Sequence, residues 1–86
     1  MLILTQDRNQ IINLDNVTSI IKDTTLDKSK IQYWADTTTN DTTKLGEYKN
    51  TPEHENQIER IAEVYGAINC YVMPEEEIWL TKKNNC

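Results

Sequence analysis

The sequence has no phenylalanine, one histidine, two glycines, two prolines and two cysteines among its 86 residues. Each shortage excludes something. Gly46 and Gly66 are too few and too far apart to form a glycine-rich phosphate loop. His54, Cys70 and Cys86 have no metal-ligand spacing, so no metal or other cofactor is expected. Positive charge is also scarce: Lys and Arg total 9 against 14 Asp and Glu, a net charge of -5. Clustered Lys and Arg are what phosphate-backbone binding relies on, so nucleic acid is a poor candidate partner. No apolar run is long enough to span a bilayer. The opening Met1-Leu-Ile-Leu-Thr-Gln-Asp-Arg has neither a basic segment nor a signal-length apolar stretch. A cytoplasmic location is expected.

The apolar set that remains is dominated by ten isoleucines, and aromatic bulk comes from Tyr33, Trp34, Tyr48, Tyr65, Tyr71 and Trp79. Tyr and Trp carry a polar handle that needs a partner, which places several of them at the rim of a core. A domain this short buries roughly 60–65% of its unfolded surface. Its stability should be about 5–8 kcal/mol. Cys70 reads as a small core hydrophobe and Cys86 as a free thiol on a tail. A disulfide between them would fit an oxidising compartment instead.

Leu2–Thr5 and Gln10–Leu14 read as an opening hairpin around the polar Gln6–Gln10 cluster. Val17–Lys22 is rich in β-branched residues, with Val17 and Ile21 on one face and Ile20 on the other. Lys30–Ala35 puts Ile31, Tyr33 and Ala35 on one face and Gln32 and Trp34 on the other. The Asp36–Asp41 loop lacks glycine, so Asn40 or Asp41 is expected to take positive φ. In the returning strand Thr42–Tyr48, Gly46 signals a bulge or a close approach.

Thr51 as cap, Pro52 at the first position and an Ile58, Ile61, Ala62 and Tyr65 stripe predict a helix of about 14 residues. Gly66 would end it in the left-handed conformation. Ala67–Met73 is a last strand. The expected fold is α+β: an antiparallel sheet of five or six strands, curved or a partial barrel, with one amphipathic helix packed on it. Residues 1–74 form the domain, and 75–86 form an acidic and aromatic tail, a short helix or an arm.

No catalytic constellation emerges. His54 lacks a nucleophile nearby in sequence and reads as a rim residue touching the sheet. Asp36/Asp41 and Asp23/Asp27 lack the central Gly and closing Glu of a calcium loop and read as solvated hairpin tips. Three features carry binding content. One is an acidic face of Glu59 and Glu63, joined by Glu75, Glu76 and Glu77, suited to a basic partner surface or an ordinary solvated helix face. Another is Trp34 with Tyr48, a partner anchor or a stacking platform for a base if exposed and core packing if not. The third is Ile78-Trp79-Leu80, which could close a sheet edge or anchor a second subunit.

Thr5-Gln-Asp-Arg-Asn-Gln-Ile-Ile-Asn-Leu-Asp-Asn-Val-Thr and Leu45-Gly-Glu-Tyr48, followed by the helix and Tyr71-Val-Met-Pro74, resemble short uncharacterised proteins of Firmicutes and their phages. The pattern touches about half the chain and carries over no functional site. Asp23 to Thr43 and the tail after Pro74 depart from it. The expectation is a small, acidic, non-enzymatic protein that binds a protein partner. Its concrete version is a phage- or mobile-element-encoded inhibitor of a bacterial defence protein. Alternatives are an oligomeric sponge for a small nucleotide signal and a housekeeping interaction module.

Overall fold

Alternation of buried and exposed residues builds the strands. In a computed structural model, residues 1–75 are described. They form strands β1 (Leu2–Leu4), β2 (Ile11–Asn13), β3 (Val17–Thr24), β4 (Lys30–Thr37) and β5 (Thr42–Lys49), helix α1 (Gln57–Val64) and strand β6 (Cys70–Val72). The class is α+β, but the single sheet of five or six strands is not what forms. Two three-stranded sheets form instead, in the orders β2-β1-β6 and β3-β4-β5. A 3-10 turn over Leu14–Asn16 interrupts the chain between β2 and β3, which separates their ladders. The first sheet is mixed, because β1 pairs antiparallel with β2 and parallel with β6. The second is an antiparallel meander.

One core joins both sheets. Ile3, Ile12 and Tyr71 come from the first, Ile31, Tyr33, Ala35, Leu45 and Tyr48 from the second, and Ile61 from the helix. Two irregularities decide which residues enter it. A register shift between Val17 and Ser19 makes Thr18 the extra residue and puts Val17 opposite Thr37 and Ile20 opposite Ala35. A bulge reverses side-chain parity. Val17 therefore joins Ile20 on the inner face, not Ile21 as the unbroken alternation implied. In β5, Tyr33 faces Gly46 while Trp34 faces Lys44, leaving Leu45 as the extra residue. The expected bulge at Gly46 is present, and so is a close approach: a Cβ there would meet Tyr48 Oη at 2.8 Å.

The hairpins share a local device. In the β1–β2 turn, Thr5 Oγ1 donates to Asp7 Oδ1 (2.7 Å), which also accepts Asn9 N–H (3.0 Å). In the β3–β4 turn, Thr25 Oγ1 donates to Asp27 Oδ1 (2.8 Å), which also accepts Ser29 N–H (3.0 Å). The residue after each aspartate, Arg8 or Lys28, takes positive φ, as does Asn40 in the third hairpin. Threonine and aspartate side chains thereby occupy backbone groups that the reversal leaves unpaired.

The long helix is not continuous. Pro52–His54 forms a 3-10 turn, and α1 has eight residues, starting only at Gln57. Thr51 is extended and makes no side-chain cap bond. Between the two pieces the Tyr33 hydroxyl donates to the His54 carbonyl (2.5 Å) and accepts Gln57 N–H (3.3 Å). A core tyrosine thus serves backbone groups that a continuous helix would pair internally. The buried face is set by Gln57 and Ile61. Ile58 and Val64 flank it, whereas Ala62 and Tyr65 of the expected stripe are exposed. Gln57 is buried with its Nε2 donating to the Tyr71 hydroxyl, while its Oε1 has no hydrogen-bond partner among the described residues. Gly66 takes the expected positive φ (85), but it does not cap the helix: Tyr65, at φ -60 and ψ 124, ends α1 in extended backbone, and Gly66 follows in a turn closed by Ala67 N–H on the Val64 carbonyl (2.9 Å).

Cys70 is disulfide-bonded, so it is not the reduced core hydrophobe suggested by sequence. Cys86 lies outside the described residues, as do Glu76, Glu77 and Trp79, and with them the readings of the tail as helix, arm or subunit anchor.

Candidate functional site

The outward face of the meander brings chemistry together. Register places Ile21, Trp34 and Lys44 in one row across β3, β4 and β5. Asp23, Gln32 and Glu47 form the row on one side, and Ser19, Asp36 and Thr42 the row on the other. Trp34 is the centre of this array and is half-buried, while Ile21 is 44% exposed. Ile21, Asp23, Trp34, Asp36 and Thr42 line an open groove of about 290 Å³.

The groove is firm on its β5 side. Glu47 accepts Gln32 Nε2 at 2.8 Å, Lys44 Nζ at 3.3 Å and Lys30 Nζ at 3.3 Å. Those bonds, the Gln32 amide foremost, hold the Glu47 carboxyl at about 2, well below its ordinary 4.5. The Lys44 ammonium also lies over the Trp34 ring, 5.7 Å from its centroid. At the opposite end, Asp36 accepts Thr42 Oγ1 at 3.1 Å and Ser19 Oγ at 3.4 Å. Trp34 therefore has a lysine cation over its ring on one flank and the carboxylates of Asp23 and Asp36 beside it in the groove.

The structure separates the other candidates. Tyr48 is 1% exposed and lies on the inner face, opposite Ile31, so it does not join Trp34 as an anchor. Its ring stands edge-on to Tyr33, and its hydroxyl donates to the Pro74 carbonyl at 2.7 Å. That contact closes the core of the domain. Glu59 and Glu63 are exposed on α1, which fits an acidic binding face and an ordinary solvated helix face alike. Glu75 lies beside Arg8 of the β1–β2 turn, with 3.8 Å between Nη2 and Oε1. Arg8 Nη1 also donates to the Met73 carbonyl at 2.7 Å, so this corner fastens the end of β6 to that turn.

His54 is more deeply placed than a rim residue. It is 5% exposed, and its Nδ1–H donates to the Lys49 carbonyl at 2.8 Å. Its ring lies 5.6 Å from that of Tyr48. These contacts give it a packing role. Among the described residues no group of His, Cys, Asp and Glu is placed to hold a metal ion.

Sequence reasoning singled out Trp34 but missed Ile21, Asp23, Asp36 and Thr42 as its neighbours. The signal was the outward parity of Gln32, Trp34 and Asp36 in β4, which becomes a surface only once the register of β3 and β5 is known. These features define a small α+β protein with a tryptophan-centred sheet face. No family model matches this chain, and neither does any curated protein or solved structure. No helix among the described residues is long and apolar enough to cross a membrane.

Proposed function

We propose that this protein is a small non-enzymatic binding protein that engages a protein partner through the outward face of β3, β4 and β5. The observation that carries this reading is Trp34, set at the centre of an open face with exposed Ile21 beside it. An aromatic at the centre of a patch and bordered by polar groups is the usual anchor of a protein interface. The groove is shallow and carries two carboxylates, which repel phosphate. That weighs against the nucleotide sponge. In its concrete form the partner is a bacterial defence protein and the source a phage or mobile element. That version rests on small size, acidity and the resemblance of the Thr5–Thr18 and Leu45–Tyr48 stretches. A cytoplasmic site of action belongs to the same version; the disulfide at Cys70 pulls the other way, because most cytoplasms keep thiols reduced.

The test is a photo-crosslinking amino acid at position 21, with position 59 as a comparison on the acidic helix. Crosslinks from position 21 that disappear with Trp34→Ala are expected. Crosslinks from position 59 alone, or ones indifferent to Trp34, would transfer the function to the helix and refute the sheet-face reading.

A further inference from the structure

The groove lies one strand in from β3, an outer strand of its sheet. Among the described residues β4 is the one strand that pairs with β3, and α1 also touches it. The far edge of β5 is treated differently: Gln6 meets it with its backbone N–H on the Leu45 carbonyl and its side chain on Glu47. Eight residues of β3 contain neither Pro nor Gly. We propose that β3 accepts an extended segment of a partner protein as a fourth strand, and that this segment is basic, with an arginine or lysine at two positions four residues apart and an apolar residue midway. This rests on the sheet-face reading above and names the partner's chemistry.

The spacing follows from the outward array. Side chains of an added strand face outward at every second position, about 6.6 Å apart. Three such positions would stand opposite Ser19, Ile21 and Asp23, which share the outward face. The residue opposite Asp23 meets a carboxylate directly. The middle one meets Ile21, which is 44% exposed. The one opposite Ser19 crosses a small side chain toward Asp36, which pairs with Ser19 and neighbours Trp34 in the groove. A guanidinium there has an indole edge and a carboxylate to bind. Main-chain bonding to β3 supplies general affinity, and the alternating positions supply selectivity. Charge argues against a second copy of this chain as the occupant. Each copy carries a net charge of -5, and a symmetric pairing would add another Asp23 and Asp36 to a face that already has both.

The experiment is selection of a random 12-residue peptide display library on the intact protein, with counter-selection on Trp34→Ala. Enriched peptides should carry the basic–apolar–basic alternation and bind more weakly as salt rises. Their affinity should fall about 2- to 5-fold with Asp23→Asn or Asp36→Asn, and about tenfold or more with Trp34→Ala. The two Asn variants keep the reading interpretable if Trp34→Ala fails to fold. Trp34-dependent peptides without paired basic residues would overturn this inference and leave the sheet-face reading standing. Peptides indifferent to Trp34, or no enrichment, would overturn both. A dimer in sedimentation that Ile21→Lys dissociates would give the edge to a second copy and overturn the basic partner.

Discussion

The side-chain amide of Gln6 pairs with the peptide of Glu47 as though it were another backbone unit: Glu47 N–H donates to Gln6 Oε1 at 2.8 Å, and Gln6 Nε2 donates to the Glu47 carbonyl at 3.0 Å. With Gln6 N–H on the Leu45 carbonyl, also at 2.8 Å, the β1–β2 turn is fastened to the edge of β5. This joins two sheets that share no ladder among the described residues. Gln6→Ala should therefore destabilise the fold by about 1–3 kcal/mol, because two part-buried backbone groups lose their partner. Glu47→Gln keeps the backbone clamp and should cost less. Urea denaturation of both variants checks the order, and equal costs would assign the effect to the Glu47 side chain.

Acid should weaken the fold over a defined range. Glu47 is held at about 2 by the Gln32 amide and two lysines, and Asp27 at about 2 by the N–H and hydroxyl of Ser29 and the Thr25 hydroxyl. Asp7 is lowered by the Thr5 hydroxyl and Asn9 N–H. A carboxyl depressed in the folded state contributes stability above its unfolded value and loses it as pH falls through the folded one. Stability should then be level above about pH 4.5 and decline toward pH 2. Denaturation at stepped pH checks this, and Glu47→Gln should shallow the slope. An unchanged slope would remove Glu47 from the account.

Gly46 has no room for a side chain. An alanine Cβ would sit 2.8 Å from Tyr48 Oη and 2.9 Å from Cε2. The ring cannot swing away freely, because it is 1% exposed and its hydroxyl is bound to the Pro74 carbonyl. Gly46→Ala should cost about 1–3 kcal/mol through overpacking. Pairing it with Tyr48→Phe, which releases the tether, should recover part of that loss. A double-mutant cycle reads the coupling, and strict additivity would refute it.

Tyr33→Phe isolates the splice between the 3-10 turn and α1. The substitution removes a hydroxyl that serves both His54 C=O and Gln57 N–H while leaving the ring in the core. A cost of about 1–3 kcal/mol is expected from two unpaired backbone groups. Faster amide exchange at Gln57 should accompany it. Exchange unaltered at that position would show that the helix start does not depend on Tyr33.

The strands, the positive φ at Asn40 and Gly66 and the constraint at Gly46 were legible because each rests on local chemistry. The division into two sheets was not. It depends on a three-residue turn at Leu14–Asn16 and on a parallel pairing of β1 with β6, neither of which leaves a periodic trace. Val17 lies on the face opposite to the one its alternation implies, because a bulge at Thr18 shifts parity by one. The burial of Gln57 is not legible, because a polar residue does not count toward an apolar stripe and its one side-chain bond, to the Tyr71 hydroxyl, comes from a distant strand. One recoverable signal went unread: Thr5-Gln-Asp and Thr25-Leu-Asp, each followed by a basic residue, form the same turn twice. Trp34 could be named from its strand alone. Its separation from Tyr48 follows from the register of β4 against β5.

That separation sets the last expectation, because the two aromatics should respond oppositely to substitution. Tyr48→Ala removes a buried ring from the core and should cost about 3–5 kcal/mol, enough to unfold much of a domain of this size. Trp34→Ala removes a half-buried ring from the outward face, and a smaller loss of roughly 1–2 kcal/mol is expected from the lesser area returned to water. Partner retention should follow the reverse order once only folded protein is counted: lost with Trp34→Ala and kept with Glu59→Lys/Glu63→Lys, whose side chains are exposed on α1. Thermal unfolding supplies the folded fraction, and quantitative crosslinking from position 21 supplies retention. If the helix variant loses the partner while Trp34→Ala keeps it, the binding surface is the acidic helix and the tryptophan face is only structural.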